Sequence, residues 1–152
     1  MIPIKKAPSK SRFRQGLYTP KNPAKYVGDS TKIRYMSSWE LKVHQFFDNN
    51  PNVIRWASEE ISIPYLKPTD GKIHKYFVDY WVEFKDKAGN IRTELIEVKP
   101  LAQTKAPRAN HKHSLYEQLT YAVNIAKWTA AKSYAEHKGW TFRLVTESSI
   151  FA

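Results

Sequence analysis

Apolar residues recur along this chain at two spacings, and the changes between them mark out its elements. In "SSWELKVHQFFDNNP", Trp39, Val43, Phe46 and Phe47 fall on one side of a helix running from about Ser38 to Asp48, and Asn49-Asn50-Pro51 stops it. The pattern then tightens to alternation. "VIRWASEEISIPYL" predicts two short strands or one bent strand, and "KPTDG" predicts a turn. "IHKYFVDYWVEF" and "IRTELIEVK" predict two further strands, joined as a hairpin through "KDKAGN". "PLAQTKAPRANHKH" has neither spacing and predicts a loop. Ser114 and Glu117 spell a capping box for a long helix to about His137, with a stripe of Leu115, Leu119, Ala122, Ala126 and Ala130, and with Gly139 ending it. "WTFRLVTE" predicts a last strand. The order is helix, about three strands, helix, strand, in an α/β chain without internal repeats.

Before Ile33 no period is visible. Residues 1–32 are rich in Pro, Lys and Arg, with Phe13, Tyr18 and Tyr26 set among the cations. They predict a basic, extended N-terminal arm, and residues 33–152 a single folded domain. The chain of 152 residues has a formal charge of +11, and its first 35 residues hold nine of the 25 Lys and Arg against one acid, Asp29. Such a balance points to a polyanionic partner, with nucleic acid ahead of an anionic membrane. Cations interleaved with aromatics suit a segment that follows phosphates and stacks on bases. With no cysteine, disulfides, thiolate-bound zinc and thiol catalysis are excluded. No run of about 18 apolar residues predicts a membrane span, and the first residues carry no apolar signal-peptide core.

One residue breaks the apolar rhythm. Asp79 stands inside "FVDYWVEF", where a carboxylate without a partner is costly. On a strand it shares a face with Phe77 and Trp81, while Leu95, Glu97 and Lys99 share a face of the next strand. If the two strands pair, Asp79 lies near Glu97. Two adjacent carboxylates repel unless a proton or a cation comes between them. A hard divalent ion such as Mg²⁺ takes one or two carboxylates and completes its shell with water and phosphate oxygens. Lys99 can then hold a water and offset negative charge on a phosphate. For Glu-x-Lys alone, a cross-strand ion pair on a solvated edge is the ordinary reading. Asp79 one strand upstream turns the set towards phosphodiester hydrolysis.

"VDYWVEF…TELIEVKP" resembles the PD-(D/E)xK nuclease superfamily, whose restriction-endonuclease-like core is helix, three strands of a mixed sheet, helix, strand, over about residues 33–147 here. Asp79 matches the superfamily Asp, Glu97 its second acid and Lys99 its lysine. The proline of the motif is absent, since Val78 precedes Asp79, a departure the superfamily often shows. The resemblance implies a Mg²⁺- or Mn²⁺-dependent deoxyribonuclease. Asp79, Glu97 and the Val98 carbonyl are its expected ligands, and Lys99 its expected water-positioning residue. Glu40, in "SSWEL", matches the first-helix acid of the endonuclease subunit of heteromeric cut-and-paste transposases. Ser37 to Glu40 also reads as a plain capping box, and both readings stand.

The resemblance further sets Gln118 and Tyr121 on a second helix that lies near DNA in related nucleases, although their spacing is not the usual Q-x-x-x-Y. His111 and His113 make a weak metal pair. Lys105, Arg108 and Lys112 in the loop, with Lys5, Lys6, Lys10, Arg12 and Arg14 in the arm, are the expected phosphate contacts. The whole chain, arm included, is similar to a family of virion-assembly nucleases of tailed phages. That implies endonuclease and some exonuclease action, without strong sequence specificity, on packaged double-stranded or branched DNA before head–tail joining. Other phage head or neck proteins are then partners, and the host cytoplasm or the phage head is the location. A non-catalytic DNA- or portal-binding head protein of the same fold, or a transposase endonuclease subunit, are the alternatives.

Overall fold

The computed structural model describes residues 15–108, 112 and 114–150. In chain order it contains β1 (Gly16–Leu17), a 3-10 turn (Pro23–Lys25), β2 (Arg34–Tyr35), α1 (Ser38–Asn49), β3 (Val53–Ser58), β4 (Ser62–Lys67), β5 (Lys72–Phe77), β6 (Tyr80–Lys85), β7 (Ile91–Val98), α2 (Ser114–His137), β8 (Thr141–Val145) and α3 (Glu147–Ile150).

The central sheet has the order β3-β6-β7-β8, antiparallel except for the β7–β8 pair, which is parallel and joined across α2. β4 and β5 form a separate antiparallel hairpin, and β1 and β2 a short one. The mixed sheet with a helix on each side is the expected core architecture. Alternation along β7 divides the interior. Ile96 and Val98 face α1, joining Val43, Phe47, Val53, Trp56, Tyr80, Val82 and Val145. Leu95 faces α2, joining Ala131 and Ala135 with Ile63, Tyr65 and Tyr76 of the hairpin.

Four expectations change. The run "IHKYFVDYWVEF" is two strands rather than one. β5 ends at Phe77 in the hairpin and β6 begins at Tyr80 in the central sheet. Between them the Val78 N–H donates to the Ile61 carbonyl (3.2 Å), and the Asp79 carbonyl accepts from Glu59 N–H (3.0 Å). Asp79 thus stands where the chain passes from one sheet to the other, and alternation with Phe77 does not carry through.

The fully buried residues of α2 are Asn124, Trp128, Ala131 and Ala135; of the expected Leu115–Leu119–Ala122–Ala126–Ala130 line, Ala126 and Ala130 pack partly buried against the core, and the first three are exposed. Leu115 and Leu119 are exposed, and the residues of α2 that pack into this core begin at Val123. Small Ala131 and Ala135 let that part of the helix approach the sheet. The helix starts at Ser114, so its N-cap position lies outside the described residues. It ends as expected, with Gly139 at φ +76° and the Trp140 N–H closing onto the Ala135 carbonyl at 2.8 Å.

On α1, Phe46 is exposed, and the polar His44 and Asp48 are buried instead. His44 Nε2 lies 2.9 Å from the Arg34 carbonyl, which can only accept, so Nε2 carries the hydrogen and Nδ1 accepts from the Tyr80 hydroxyl at 2.8 Å. Burial pushes the pKa of this ring down to about 4. Asp48 sits at the negative end of the helix dipole, where a carboxylate is disfavoured. Donors from the segment expected to be an arm offset this. The Tyr18 hydroxyl (2.6 Å) and the N–H groups of Lys21 (2.7 Å) and Asn22 (3.0 Å) bond its carboxylate. The Lys25 ammonium caps the Asp48 and Asn50 carbonyls at 2.9 and 2.8 Å. Tyr26 packs edge-on against Trp56. Between Tyr18 and Lys25, then, this segment is fastened to the end of α1, and Gly16–Leu17 pair with β2.

Candidate active site

The β6–β7 register pairs Tyr80 with Ile96, and one further step brings Asp79 opposite Glu97. Asp79 Oδ2 accepts from the Val98 N–H at 2.8 Å. Glu97 Oε1 accepts from the Tyr76 hydroxyl at 2.7 Å, with a longer 3.4 Å contact from the Asp79 N–H. Glu97 Oε2 lies 3.7 Å from the Lys99 ammonium. The Lys99 N–H in turn donates to the Val145 carbonyl at 2.9 Å, so the parallel β7–β8 pairing holds the lysine's backbone in place. The structure therefore brings Asp79, Glu97 and Lys99 together, and ties Val98 to them through its N–H.

Both carboxyls are held above the ordinary carboxylate range. For Asp79 burial is the main cause and the Glu97 charge the next, against the Val98 hydrogen bond and Lys99. For Glu97 burial again leads, opposed by the Tyr76 hydrogen bond and Lys99. Without a cation between them the pair favours holding a proton.

Glu40 lies in the first turn of α1. Its N–H bonds the Ser37 hydroxyl at 3.2 Å, as a cap requires. Its carboxylate accepts from the Met36 N–H at 2.9 Å, one residue outside the Ser37 N–H that a capping box uses. Burial and the neighbouring Glu59 charge raise its pKa, and its own charge helps raise that of Asp79. Glu40 is thus part of the same electrostatic cluster. Among the described residues no group of three or more His, Cys, Asp or Glu converges on one metal position. The donor set is a carboxylate pair with a third acid nearby, which suits a hard oxygen-seeking ion that keeps several waters.

Of the other expected contacts, Lys105, Arg108, Lys112 and Gln118 are exposed and Tyr121 is half-buried. Lys105 follows a 3-10 turn (Leu101–Thr104) tied to α3 by the Leu101 N–H bond to Glu147 at 2.6 Å. Lys5, Lys6, Lys10, Arg12, Arg14, His111 and His113 lie outside the described residues. No described helix is long and apolar enough to cross a membrane.

Three residues at this site carry no sequence signal. Tyr76 reaches Glu97 only because β5 belongs to the hairpin rather than to the central sheet. Glu59, at φ +55°, holds the Asp79 carbonyl through its N–H. Lys127, in the middle of α2, stands over the Tyr65 and Tyr76 rings.

Residues 50–147 match the family described as TnsA-like endonuclease N terminal, a span that holds Asp79, Glu97 and Lys99 but not Glu40. The chain is also 40% identical over 144 residues to the head completion nuclease of Enterobacteria phage T4, covering 90% of this chain and 93% of that one. With its mixed sheet and its Asp79–Glu97–Lys99 cluster, the chain belongs to the TnsA-like endonuclease family.

Proposed function

We propose that this protein is a Mg²⁺- or Mn²⁺-dependent deoxyribonuclease that cuts DNA, mainly internally and without strong base preference, during phage head completion. The observation that carries this reading is the Asp79–Glu97 pair: two carboxylates crowded together in poorly hydrated surroundings, with one ammonium beside them. The similarity to the head completion nuclease of phage T4 supports the assembly role.

In this reading Asp79 and Glu97 hold the ion, with the Val98 carbonyl and Glu40 as further donors. The bound ion supplies positive charge that relieves the carboxylates and polarises the phosphate. The Val98 N–H and the Tyr76 hydroxyl keep the two carboxylates in fixed orientations. Lys99 orients the attacking water and offsets negative charge gathering on the phosphate. Lys5, Lys6, Lys10, Arg12 and Arg14, with Lys105, Arg108, Lys112, Gln118 and Tyr121, serve the DNA backbone, giving recognition by charge and shape that weakens steeply with salt. The division into a basic segment 1–32 and a nuclease domain 33–152 carries over, with residues 16–32 anchored on the domain. The setting is the infected host cell, at the phage head, in company with other head or neck proteins.

Plasmid cleavage by the purified protein tests this. Nicking or linearisation in Mg²⁺ or Mn²⁺, abolished by EDTA and by Asp79→Asn, is expected. No cleavage with either ion, or cleavage that survives EDTA, overturns it.

A further inference from the structure

Lys127 projects from α2 towards the β4–β5 hairpin. Its ammonium is 5.6 Å from the centre of the Tyr76 ring and 5.8 Å from that of Tyr65. Tyr76 is the residue whose hydroxyl bonds Glu97, so Lys127 stands directly behind the carboxylate pair. It is close enough to Glu97, Asp79, Lys99 and Lys67 for each of those charges to act on it. Lys127 forms no hydrogen bond or ion pair within the described residues, and its contacts there are the two ring faces.

A lysine that merely covers two rings usually extends its head into water or to a carboxylate. Here a half-buried ammonium is kept beside a second cation, Lys99, and both burial and that like charge disfavour its charged form. An anion arriving among Lys127, Lys99 and Lys67 relieves the repulsion, as a cation between Asp79 and Glu97 relieves theirs. A phosphodiester is an anion of the right kind, and a lysine with free donors binds it as a point charge.

We propose that Lys127 is a second phosphate-contacting cation of the nuclease site, gripping the DNA strand on the hairpin side of Glu97 while Lys99 serves the other side. The proposal rests on the nuclease reading given above.

Lys127→Met keeps the length and the apolar stem and removes only the charged head. DNA affinity measured in EDTA over a range of salt concentrations reads the contact without any metal step. Losing one phosphate contact should lower the slope of log K against log salt by about 0.9 for duplex DNA or about 0.7 for single strands. Turnover in Mg²⁺ at saturating DNA should also fall, by up to about 100-fold, the low end of what one lost charge-stabilising donor costs. Lys127→Arg should restore the slope, and the melting temperature should hardly move. Should Lys127→Met fail to fold, Lys127→Gln carries the same comparison. A wild-type salt slope together with wild-type turnover in the neutral variant overturns the proposal and leaves Lys127 as a brace for the tyrosines. If the wild type cleaves no DNA, the nuclease reading fails, and the metal-free salt slope still decides whether Lys127 touches phosphate.

Discussion

The Tyr76 hydroxyl donates a 2.7 Å hydrogen bond to Oε1 of Glu97, across the boundary between the hairpin and the central sheet. This bond opposes the rise in the Glu97 pKa that burial causes, and it fixes the carboxylate's direction. Tyr76→Phe keeps the ring and its packing and removes the donor. Metal affinity or activity should fall by about 10- to 100-fold, the usual cost of losing a partner that orients a ligand. The Glu97 pKa should rise further, so the acid limb of the pH–rate profile should move to higher pH. A Mg²⁺ titration of cleavage at several pH values checks both, and an unmoved acid limb would show that the bond does not tune Glu97.

Asp79 and Glu97 also set the pH dependence of stability. Both folded-state pKa values lie above the ordinary carboxylate range. Their contribution is therefore favourable below the unfolded values and is lost as pH rises through the raised ones. Asp79→Asn removes one charge of the pair and can still accept the Val98 hydrogen bond. In EDTA the variant should match the wild type in acid and melt progressively higher than it as the pH climbs towards neutral. Mg²⁺ should raise the wild-type melting temperature and leave the variant nearly unchanged. Calorimetry with and without the ion makes the comparison.

Glu40→Gln separates a cap from a member of the site. The amide oxygen can keep the Met36 N–H bond and loses only the charge, apart from a helix-dipole contribution of about 0.3–1 kcal/mol. Stability should hold while turnover in saturating Mg²⁺ falls by about tenfold or more. Wild-type turnover would return Glu40 to the helix cap.

Asp48→Ala tests the anchoring of the amino-terminal segment. Burial alone pushes Asp48 up, but the bonds from Tyr18, Lys21 and Asn22 outweigh it and hold the carboxyl below its ordinary value. Such a group contributes stability above the unfolded pKa, and loses it as pH falls through the folded one. Removing the carboxylate strands donors that each cost about 1–3 kcal/mol when left unbonded, so a loss of about 3 kcal/mol or more is expected in denaturant unfolding. Amide exchange at Tyr18, Lys21 and Asn22 should speed up before that of the central sheet.

Much of the site was legible in the sequence because its geometry follows from local rules. Glu97 lies on β7, and Asp79 and Lys99 stand one residue beyond the ends of β6 and β7, whose pairing is announced by the Asp86–Asn90 turn, while a period of two puts Glu97 and Lys99 on one face. What escaped depends on distant contacts. Nothing within "IHKYFVDYWVEF" marks the change of sheet at Val78 and Asp79, because both halves keep strand composition. The α2 stripe is only partly legible, because alanines recur along that helix and contacts with distant residues such as Leu95 and Ile63 decide which of them are covered. Tyr18 and Lys25 read as solvated arm residues, because the Asp48 groups they bond, the carboxylate for Tyr18 and the main-chain carbonyl for Lys25, are more than 20 residues away.

The passage of the chain from hairpin to sheet at Asp79 leaves the tip of the hairpin open to change, while its body, with Ile63, Tyr65 and Tyr76 packed with Leu95, Ala131 and Ala135, is fixed. The acid pair takes its backbone placement from the β6–β7 ladder and the Glu59 N–H, and Asp79 its orientation from the Val98 N–H, so the hairpin contributes one contact, the Tyr76 hydroxyl on Glu97. The turn from Pro68 to Gly71 can therefore be lengthened or rewritten, changing what the enzyme meets without changing how it holds its ligands. Register is the exception. Sliding β5 by one residue against β4 would carry Tyr76 to the outer face and bring Phe77 inward, where no hydroxyl is available. Glu97 would lose its fixed direction although every residue of the central sheet had stayed in place.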